Sequence, residues 1–326
     1  MKSHRFTPVE ISAPSQLIDV GDALITMGSC FADHIGGKLQ RAKIPALTNP
    51  LGILYNPLSL AKGIQQLQHP PVVGPAQCAS RGDIHFHYDY HSKWSGTSPA
   101  SVATDITTAI GSAANHLQQS DWLLFTLGTS FAYELRSTGA VVANCHKMPA
   151  HLFDKRQLTV DESFGALSAA LPTNKNIVVT VSPVRHTKEG LVHNQRSKAR
   201  LIEIAHLLTE QHQHCSYFPA YEIVVDELRD YRYYLADMIH PSAEAVDIVW
   251  SRFVEVYATP TMQQQISAVH RLQQSLDHRP LIQGSTAHRD FLGGLLDKIQ
   301  MLSTQYPLVD FSVERATVEA RIQALA

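Results

Sequence analysis

A serine and a cysteine lie side by side at a turn near the start of the chain. Ser29 follows Gly28 directly after the apolar run 23–27, which is typical of a buried strand, and apolar residues recur at helical spacing from Phe31 onward. We therefore predict a strand, a tight turn and a helix, with Ser29 at the junction. A hydroxyl at the carboxyl end of a strand, beside the free N–H groups of a helix, is placed for acyl transfer. Ser29 is the predicted nucleophile, and its alternative role is to cap the helix.

The base and its orienting carboxylate come from a second motif far along the chain. Asp237 precedes His240 by three residues, and Pro241 favours an extended conformation at His240. The carboxylate can then fix the imidazole tautomer and leave the other ring nitrogen to accept a serine proton. The predicted catalytic residues are therefore Ser29, Asp237 and His240. Cys30 is a weaker candidate nucleophile, because its sulfur would point away from where Ser29 points.

The motif at residues 28–32, Gly-Ser-Cys-Phe-Ala, resembles the signature of the GSCFA family, which is similar to the SGNH or GDSL-like hydrolases. Further runs between residues 6 and 250 resemble the family's, at 49–57, 127–129, 144–147, 182–186 and 217–222. The resemblance implies a three-layer α/β/α fold with a central, mostly parallel sheet and a nucleophilic serine near its amino end. Two motifs differ from general SGNH enzymes, whose Gly-Asp-Ser is here Gly-Ser-Cys and whose Gly-x-Asn-Asp is here Gly-Thr-Ser-Phe.

Besides the backbone N–H of Ser29, three residues are the predicted oxyanion donors. In an SGNH-like fold the loop 52–57 brings a glycine N–H to the oxyanion, which makes Gly52 the first candidate. Asn56 is a candidate side-chain donor, and its alternative role is to initiate a turn before a helix. Thr129 follows the continuous apolar run 121–127, which is typical of a central parallel strand, so its N–H or hydroxyl is the third candidate.

Two histidines are predicted to bind substrate. His146 lies in the run 144–147, and the buried-strand run 177–181 delivers His186 to the same edge of the sheet. His186 is also a rival general base, but it has no acidic neighbour in sequence to orient it, so positioning of substrate or a plain structural role is favoured. Arg185 is a candidate partner for a carboxylate or phosphate of the substrate.

An alternating run near residue 87 is compatible with a metal site. His85, His87 and Asp89 would share one face of a strand, as would the residues of an ordinary exposed polar face. Because no third cluster lies at metal-ligand spacing, we predict no metal, and nothing in the sequence calls for a cofactor.

Composition limits the class of protein. The chain has 326 residues, of which 44% are hydrophobic, and a net charge of −2, so it can bury a large core but lacks the basic surface that nucleic-acid binding needs. The amino end has no apolar segment typical of a secretory signal, no run is long enough for a membrane span, and the 4 cysteines are scattered. We expect a cytoplasmic protein that binds neither nucleic acid nor membrane, and the sequence leaves its oligomeric state open.

The chain is predicted to have two parts. Residues 1–258 form the α/β catalytic domain, and residues 259–326 form an all-helical extension, because the latter show helical periodicity without a strand signal. The expected function is hydrolysis of a small O-acyl ester, such as an acylated sugar or metabolite. The alternatives are an acyltransferase with the same triad and a binding or scaffold module without turnover.

Overall fold

The computed structural model describes residues 7–325, which form ten strands and ten α-helices. The strands are β1 (Leu24–Gly28), β2 (Ala46–Thr48), β3 (Ala79–Arg81), β4 (Ile84–Phe86), β5 (Trp122–Leu127), β6 (Phe131–Leu135), β7 (Ala140–Val142), β8 (Phe153–Gln157), β9 (Asn176–Val181) and β10 (Cys215–Phe218). The helices are α1 (Cys30–Arg41), α2 (Pro57–Gln68), α3 (Pro99–Gln119), α4 (Val160–Ala170), α5 (Leu191–Gln211), α6 (Ala220–Glu222), α7 (Ala243–Tyr257), α8 (Pro260–Asp277), α9 (Thr286–Gln305) and α10 (Ser312–Gln323).

Five of the strands form one parallel sheet in the order β10-β9-β5-β1-β2. Its register pairs Thr26 of β1 with Thr48 on one side and with Leu124 on the other. Because all five strands run the same way, their carboxyl ends meet at one edge, where open α/β sheets place their sites. The predicted parallel sheet is confirmed.

Helices cover both faces of this sheet. Ile25, Met27 and Phe125 point to one face and pack in a core with residues of α2, α3, α4 and α5. Leu24 and Leu124, which alternate with them, pack on the other face with residues of α1 and α7. The three-layer α/β/α arrangement is therefore also confirmed.

Glycine is required where β1 turns into α1. Gly28 has φ of +123°, and a Cβ atom there would lie 2.2 Å from the Thr126 carbonyl oxygen on β5. The Ser29 N–H then donates to that same oxygen at 3.1 Å, which ties the turn to the neighbouring strand. The strand, tight turn and helix predicted around Ser29 are all present.

A smaller antiparallel sheet of order β7-β6-β8 lies beside the large one. The sequence predicts a hairpin or extended excursion over residues 131–142, and β6 and β7 form such a hairpin with Leu135 opposite Ala140. β8 adds to its other side, with Phe131 opposite Gln157.

Two predicted extended segments are wrong. The apolar run within residues 221–226 predicts the last strand or an extended approach to it, but α6 continues there into a π-helical turn, Ile223–Leu228. Packing decides the conformation, because this turn buries Ile223 and Val224 in the core shared with α1 and α7. In the same way the expected strand over residues 83–91 ends at Phe86.

The histidines of that segment consequently do not share a strand face. The Tyr90 N–H donates to the His87 carbonyl at 3.2 Å, so the chain turns there and Asp89 lies in the turn, with its carboxylate 2.7 Å from Lys62 Nζ. Across residues 7–325, no group of three or more His, Cys, Asp or Glu side chains is arranged to hold a metal ion.

The last three helices, α8 to α10, form the all-helical region that the sequence predicts, and this region has its own hydrophobic core. Its fully or nearly buried residues are Ala268, Val269, Leu272, Leu292, Leu295, Ile299, Leu302, Tyr306, Val309, Phe311 and Val318. Just before this region the chain pairs with Ile18, which precedes β1. The Ile18 N–H donates to the Tyr257 carbonyl at 2.7 Å, and the Thr259 N–H donates to the Ile18 carbonyl at 3.0 Å. No helix of the described chain has both the length and the apolar character to cross a membrane.

Candidate active site

A cavity of about 550 Å³ opens at the carboxyl edge of the parallel sheet. The start of α1, the loop before α2, the small antiparallel sheet and the segments after β5 and β9 all contribute to it. It is lined by Cys30, Tyr55, Asn56, Thr129, Phe131, Tyr133, Val142, Ala143, Asn144, Cys145, Lys155, Val184, Arg185, His186, Thr187, Lys188, Glu189, Ile239 and His240. Four of the predicted site residues are therefore brought together: Asn56, Thr129, His186 and His240.

Ser29 is not among the residues that line the cavity. Only 2% of it is exposed, and its hydroxyl oxygen accepts a hydrogen bond from the Phe31 N–H at 3.3 Å. Ser29 is thus the N-cap of α1, which is the alternative role that its position in the sequence suggests.

Cys30, the next residue, reaches the cavity in its place. It is the first residue of α1 and is half-buried, and its Sγ lies 3.5 Å from the Tyr55 hydroxyl. Burial and the hydrogen bond to Cys30 both raise the pKa of Tyr55, so the phenol stays protonated and can donate to the sulfur.

His240 and Asp237 form the contact that their spacing predicts. His240 Nδ1 lies 2.7 Å from Asp237 Oδ2, and Asp237 Oδ1 accepts the N–H groups of Ile239 and His240 at 2.8 and 3.0 Å. The hydrogen bonds from His240 and Ile239 lower the pKa of Asp237 to about 2, so it is a carboxylate at neutral pH. Because His240 Nδ1 is bonded to Asp237, His240 Nε2 is the ring nitrogen that can exchange a proton.

Arg185 holds the loop between these two residues. Its N–H donates to the Ile239 carbonyl at 3.1 Å, and its Nη1 donates to the Met238 carbonyl at 2.9 Å. Met238 has φ of +57°, a backbone conformation that residues other than glycine rarely adopt. The loop conformation therefore depends on the contacts with Arg185.

Two of the three predicted oxyanion donors already have acceptors. The Gly52 N–H donates to the Asn49 carbonyl at 2.8 Å. The Thr129 N–H donates to the Tyr55 carbonyl at 3.0 Å, and the Thr129 hydroxyl accepts from the Phe131 N–H at 3.2 Å. Neither N–H is therefore placed to bind an oxyanion, because both close the loops that surround the cavity.

Asn56 keeps one donor for the cavity. Its Oδ1 accepts the Ser59 N–H at 2.9 Å and caps α2, while Nδ2 donates to the Ser59 hydroxyl at 3.0 Å. An amide nitrogen carries two hydrogens, so one N–H of Asn56, which lines the cavity, has no acceptor among residues 7–325. The Cys30 N–H, which α1 does not use because it belongs to the first turn, is a second donor.

The two histidines predicted to bind substrate lie in different places. His186 lines the cavity, with its ring edge-on to Tyr55 at 5.9 Å and a buried Nε2 that has no hydrogen-bond partner in residues 7–325. Burial, and then the charge of Lys198, lower its pKa to about 3, so it is neutral. His146 does not line the cavity; it stacks on Phe86 at 4.1 Å, and its role there is structural.

A buried lysine that the sequence does not reveal lies behind the cavity. Lys198 on α5 is 1% exposed, and its Nζ donates to the carbonyls of Gly128 and Ser182, both at 2.7 Å. These residues follow β5 and β9, so one side chain joins the carboxyl ends of two neighbouring strands. Burial lowers the pKa of Lys198 to about 7.

The sequence does not indicate Tyr55 as a cavity residue, and it favours Ser29 over Cys30 as the nucleophile, whereas Cys145 belongs to the run 144–147 that it does indicate. One feature of the sequence does favour Cys30: it follows Ser29, a preferred N-cap residue. A serine that caps a helix directs its hydroxyl back to the helix, which leaves the next residue to face the site. Tyr55 lies within the motif-like run 49–57, and only the path of the loop places its ring beside Cys30.

Fold and site together define a three-layer α/β/α protein whose parallel sheet carries a thiol and a carboxylate-bound imidazole at one edge. The chain belongs to the GSCFA family, whose model matches residues 23–253. The model of the GSCFA domain protein, C-terminal domain, matches residues 269–324, which lie in the helical region. Comparison with curated proteins and with solved structures gives no match. The predicted domain boundary at 258/259 falls between the two matched ranges and remains a prediction.

Proposed function

We propose that the protein catalyses acyl transfer from a small ester, as a hydrolase or acyltransferase of SGNH type in which a thiol is the nucleophile. The observation that carries the proposal is the cavity that Cys30 and His240 share, with His240 Nδ1 held 2.7 Å from the Asp237 carboxylate. Nucleophile, base and orienting carboxylate are the three parts that such a reaction needs.

In the first half of the proposed reaction, His240 Nε2 accepts the proton of the Cys30 thiol, and the sulfur attacks the carbonyl carbon of the ester. The carbonyl electrons move to oxygen, and the N–H groups of Cys30 and Asn56 stabilise the oxyanion. When the tetrahedral intermediate collapses, the bond to the alcohol oxygen breaks and His240 returns the proton to that oxygen. A thioester on Cys30 and a free alcohol result.

In the second half, His240 accepts a proton from water or from an acceptor alcohol, whose oxygen attacks the thioester carbon. Collapse breaks the carbon–sulfur bond, and the thiol regains its proton from His240. Water yields an acid, and an alcohol yields a new ester. Ser29 takes no covalent part, since its hydroxyl caps α1 and is almost fully buried.

The test is to trap the acyl group with 4-nitrophenyl acetate and to locate it by peptide mass spectrometry. We expect an acetyl group on Cys30 that hydroxylamine removes, and none in Cys30→Ala or in His240→Gln. Cys145→Ala is the matched control, because Cys145 lines the same cavity but has no paired imidazole assigned to it. Release of 4-nitrophenol with and without added alcohols then separates hydrolysis from transfer.

Acetylation of Ser29 would instead support the serine triad that the sequence suggests. Folded protein that acquires no acetyl group from this or longer-chain esters would favour the binding module. Acetylation of Cys30 that persists in His240→Gln would show that the thiol reacts without the base, which contradicts the proposed mechanism.

A further inference from the structure

The wall of the cavity carries an excess of positive charge. Three cationic side chains line the cavity, Lys155, Arg185 and Lys188, and Glu189 is the one carboxylate among its lining residues. Lys155 and Glu189 form an ion pair, which cancels their charges. Arg185 and Lys188 therefore determine the charge of this wall.

Neither of these two cations is neutralised by the protein. The Arg185 guanidinium donates to the Met238 carbonyl and lies over the rings of Tyr231 and Tyr234, at 5.8 and 5.5 Å. No carboxylate of the described chain pairs with Arg185 or with Lys188.

The charge of Lys188 acts inside the cavity. Burial raises the pKa of the Cys145 thiol, and the charge of Lys188 opposes that rise. Burial, and then the same charge of Lys188, lower the pKa of Lys155. Lys155 on β8 and Cys145 after β7 form the end of the cavity beside the small antiparallel sheet, and Lys188 lines the same cavity, while Cys30, Tyr55 and His240 define the reaction centre.

The rest of that end is apolar and aromatic. Phe131 and Tyr133 lie under the Lys155 ammonium, at 4.8 and 5.2 Å from Nζ to the ring centroids, and Val142 and Ala143 complete the surface. A substrate that fills this end would bring carbon atoms against the rings and a charged group to Lys188.

We propose that the substrate is an ester bearing an anionic group, a carboxylate or a phosphate, and that Lys188 binds this group while the ester lies at Cys30. The inference rests on the proposed function, since it takes Cys30 as the reaction centre. Lys188 is exposed at the cavity lining, and its unpaired ammonium attracts an anion and repels a cation, so the binding energy of the charged group selects the substrate. The Lys155–Glu189 pair leaves no carboxylate in the lining to compete for Lys188.

The test compares alkylation of the cavity thiols by iodoacetate, an anion, and iodoacetamide, its neutral counterpart, at low ionic strength. Peptide mass spectrometry follows Cys30 and Cys145 separately. In Lys188→Gln we expect the ratio of the iodoacetate rate to the iodoacetamide rate to fall about two- to fivefold at these thiols, the effect of one charge across a hydrated cavity. Lys188→Arg should keep the wild-type ratio. Lys175→Gln is the matched control, because Lys175 lies beside the amino end of β9 and donates to the carbonyls of Gln118 and Ser120.

Ratios that do not change in Lys188→Gln would overturn the inference, as would a cavity in which iodoacetamide reaches neither thiol. If Cys30 is unreactive but the ratio at Cys145 falls, the anion site is supported and the proposed nucleophile fails. If acetylation of Cys30 is seen but neither ratio depends on Lys188, the proposed function stands and the anion site fails.

A pair of esters provides the second measurement. For 4-nitrophenyl acetate and the mono-4-nitrophenyl ester of succinate, Lys188→Gln should lower kcat/KM for the succinate ester about two- to fivefold more than kcat/KM for the acetate ester. Equal effects on the two esters would contradict recognition of charge by Lys188.

Discussion

Replacing Ser29 by alanine separates the two roles that this residue was given. As the nucleophile, it would be essential for acylation and of little consequence for stability. As the cap of α1, its loss would weaken folding and leave the chemistry of Cys30 intact. The structure predicts the second result, because the hydroxyl accepts the Phe31 N–H and only 2% of the residue is exposed.

The expected loss of stability follows from that one hydrogen bond. Removing a serine cap lowers the free energy of unfolding by about 1 kcal/mol, and a buried N–H without an acceptor adds to the effect. The distance of 3.3 Å from the Phe31 nitrogen to Oγ is long for a hydrogen bond, which keeps the value near 1 kcal/mol rather than 2. For a chain of this length the melting temperature should fall by about 1–2 °C.

Urea unfolding measures the stability, and acetylation of Cys30 measures the chemistry. Ser242→Ala is the matched control, because Ser242 caps α7 by accepting the Ala245 N–H at 3.2 Å and does not line the cavity. Both variants should lose similar stability and should acetylate Cys30 within about twofold of the wild-type rate, since neither removes a group of the proposed reaction. A Ser29→Ala protein that is folded, of nearly wild-type stability and unable to accept an acyl group would refute the reasoning.

Three further predictions concern other parts of the molecule. Asp237→Asn should slow acetylation of Cys30 by about 100-fold or more, because the amide no longer fixes the His240 tautomer; stopped-flow release of 4-nitrophenol measures the rate, and a rate near that of wild type would contradict the role of Asp237. Burial holds the pKa of Lys198 near 7, against 10.5 when exposed, so above pH 7 the unfolded chain binds more protons than the folded one. Lys198 should therefore make the free energy of unfolding rise by about 1.4 kcal/mol per pH unit between pH 7 and about 9; urea titrations of wild type and Lys198→Met should show this slope in the wild type only, and equal slopes would contradict it. Gly28→Ala should lower stability by at least ~3 kcal/mol, because the methyl group meets the Thr126 carbonyl, whereas Gly37→Ala on α1, where a Cβ atom has open space, should be tolerated; thermal melts followed by circular dichroism compare them, and equal melts would refute the steric argument.

Much of the fold could be predicted because its strands are short and apolar. The runs 23–27, 121–127 and 177–181 correspond to β1, β5 and β9, the three inner strands, which helices cover on both faces and which therefore need apolar residues throughout. The Asp237–His240 contact could also be predicted, since the two residues are close in sequence and the following proline restricts the loop.

The choice between Ser29 and Cys30 depends on information that sequence spacing does not carry. Both residues suit a nucleophile by type, and they differ only in the direction of their side chains at the turn. That direction follows from the Gly28 conformation and from the bond between the Ser29 N–H and β5, which is about 100 residues away in the chain. The helical conformation at 221–226 is likewise decided by distant packing, since its apolar residues would suit a strand equally well.

The closure between Ile18 and residues 257–259 has a consequence for how the chain is made. The ribosome releases Ile18 long before it has synthesised α7, so the two hydrogen bonds of Ile18 can form only when almost four-fifths of the chain has emerged. In the same way, β1 can pair with β5, its neighbour at the centre of the sheet, only after β5 has been synthesised. The closure also brings the two ends of the α/β region side by side, so a short linker could join them and new termini could be opened in a surface loop. The α/β region is thus suited to circular permutation. Helices α8 to α10 follow α7, and the connection between α7 and α8 contains no strand of the sheet.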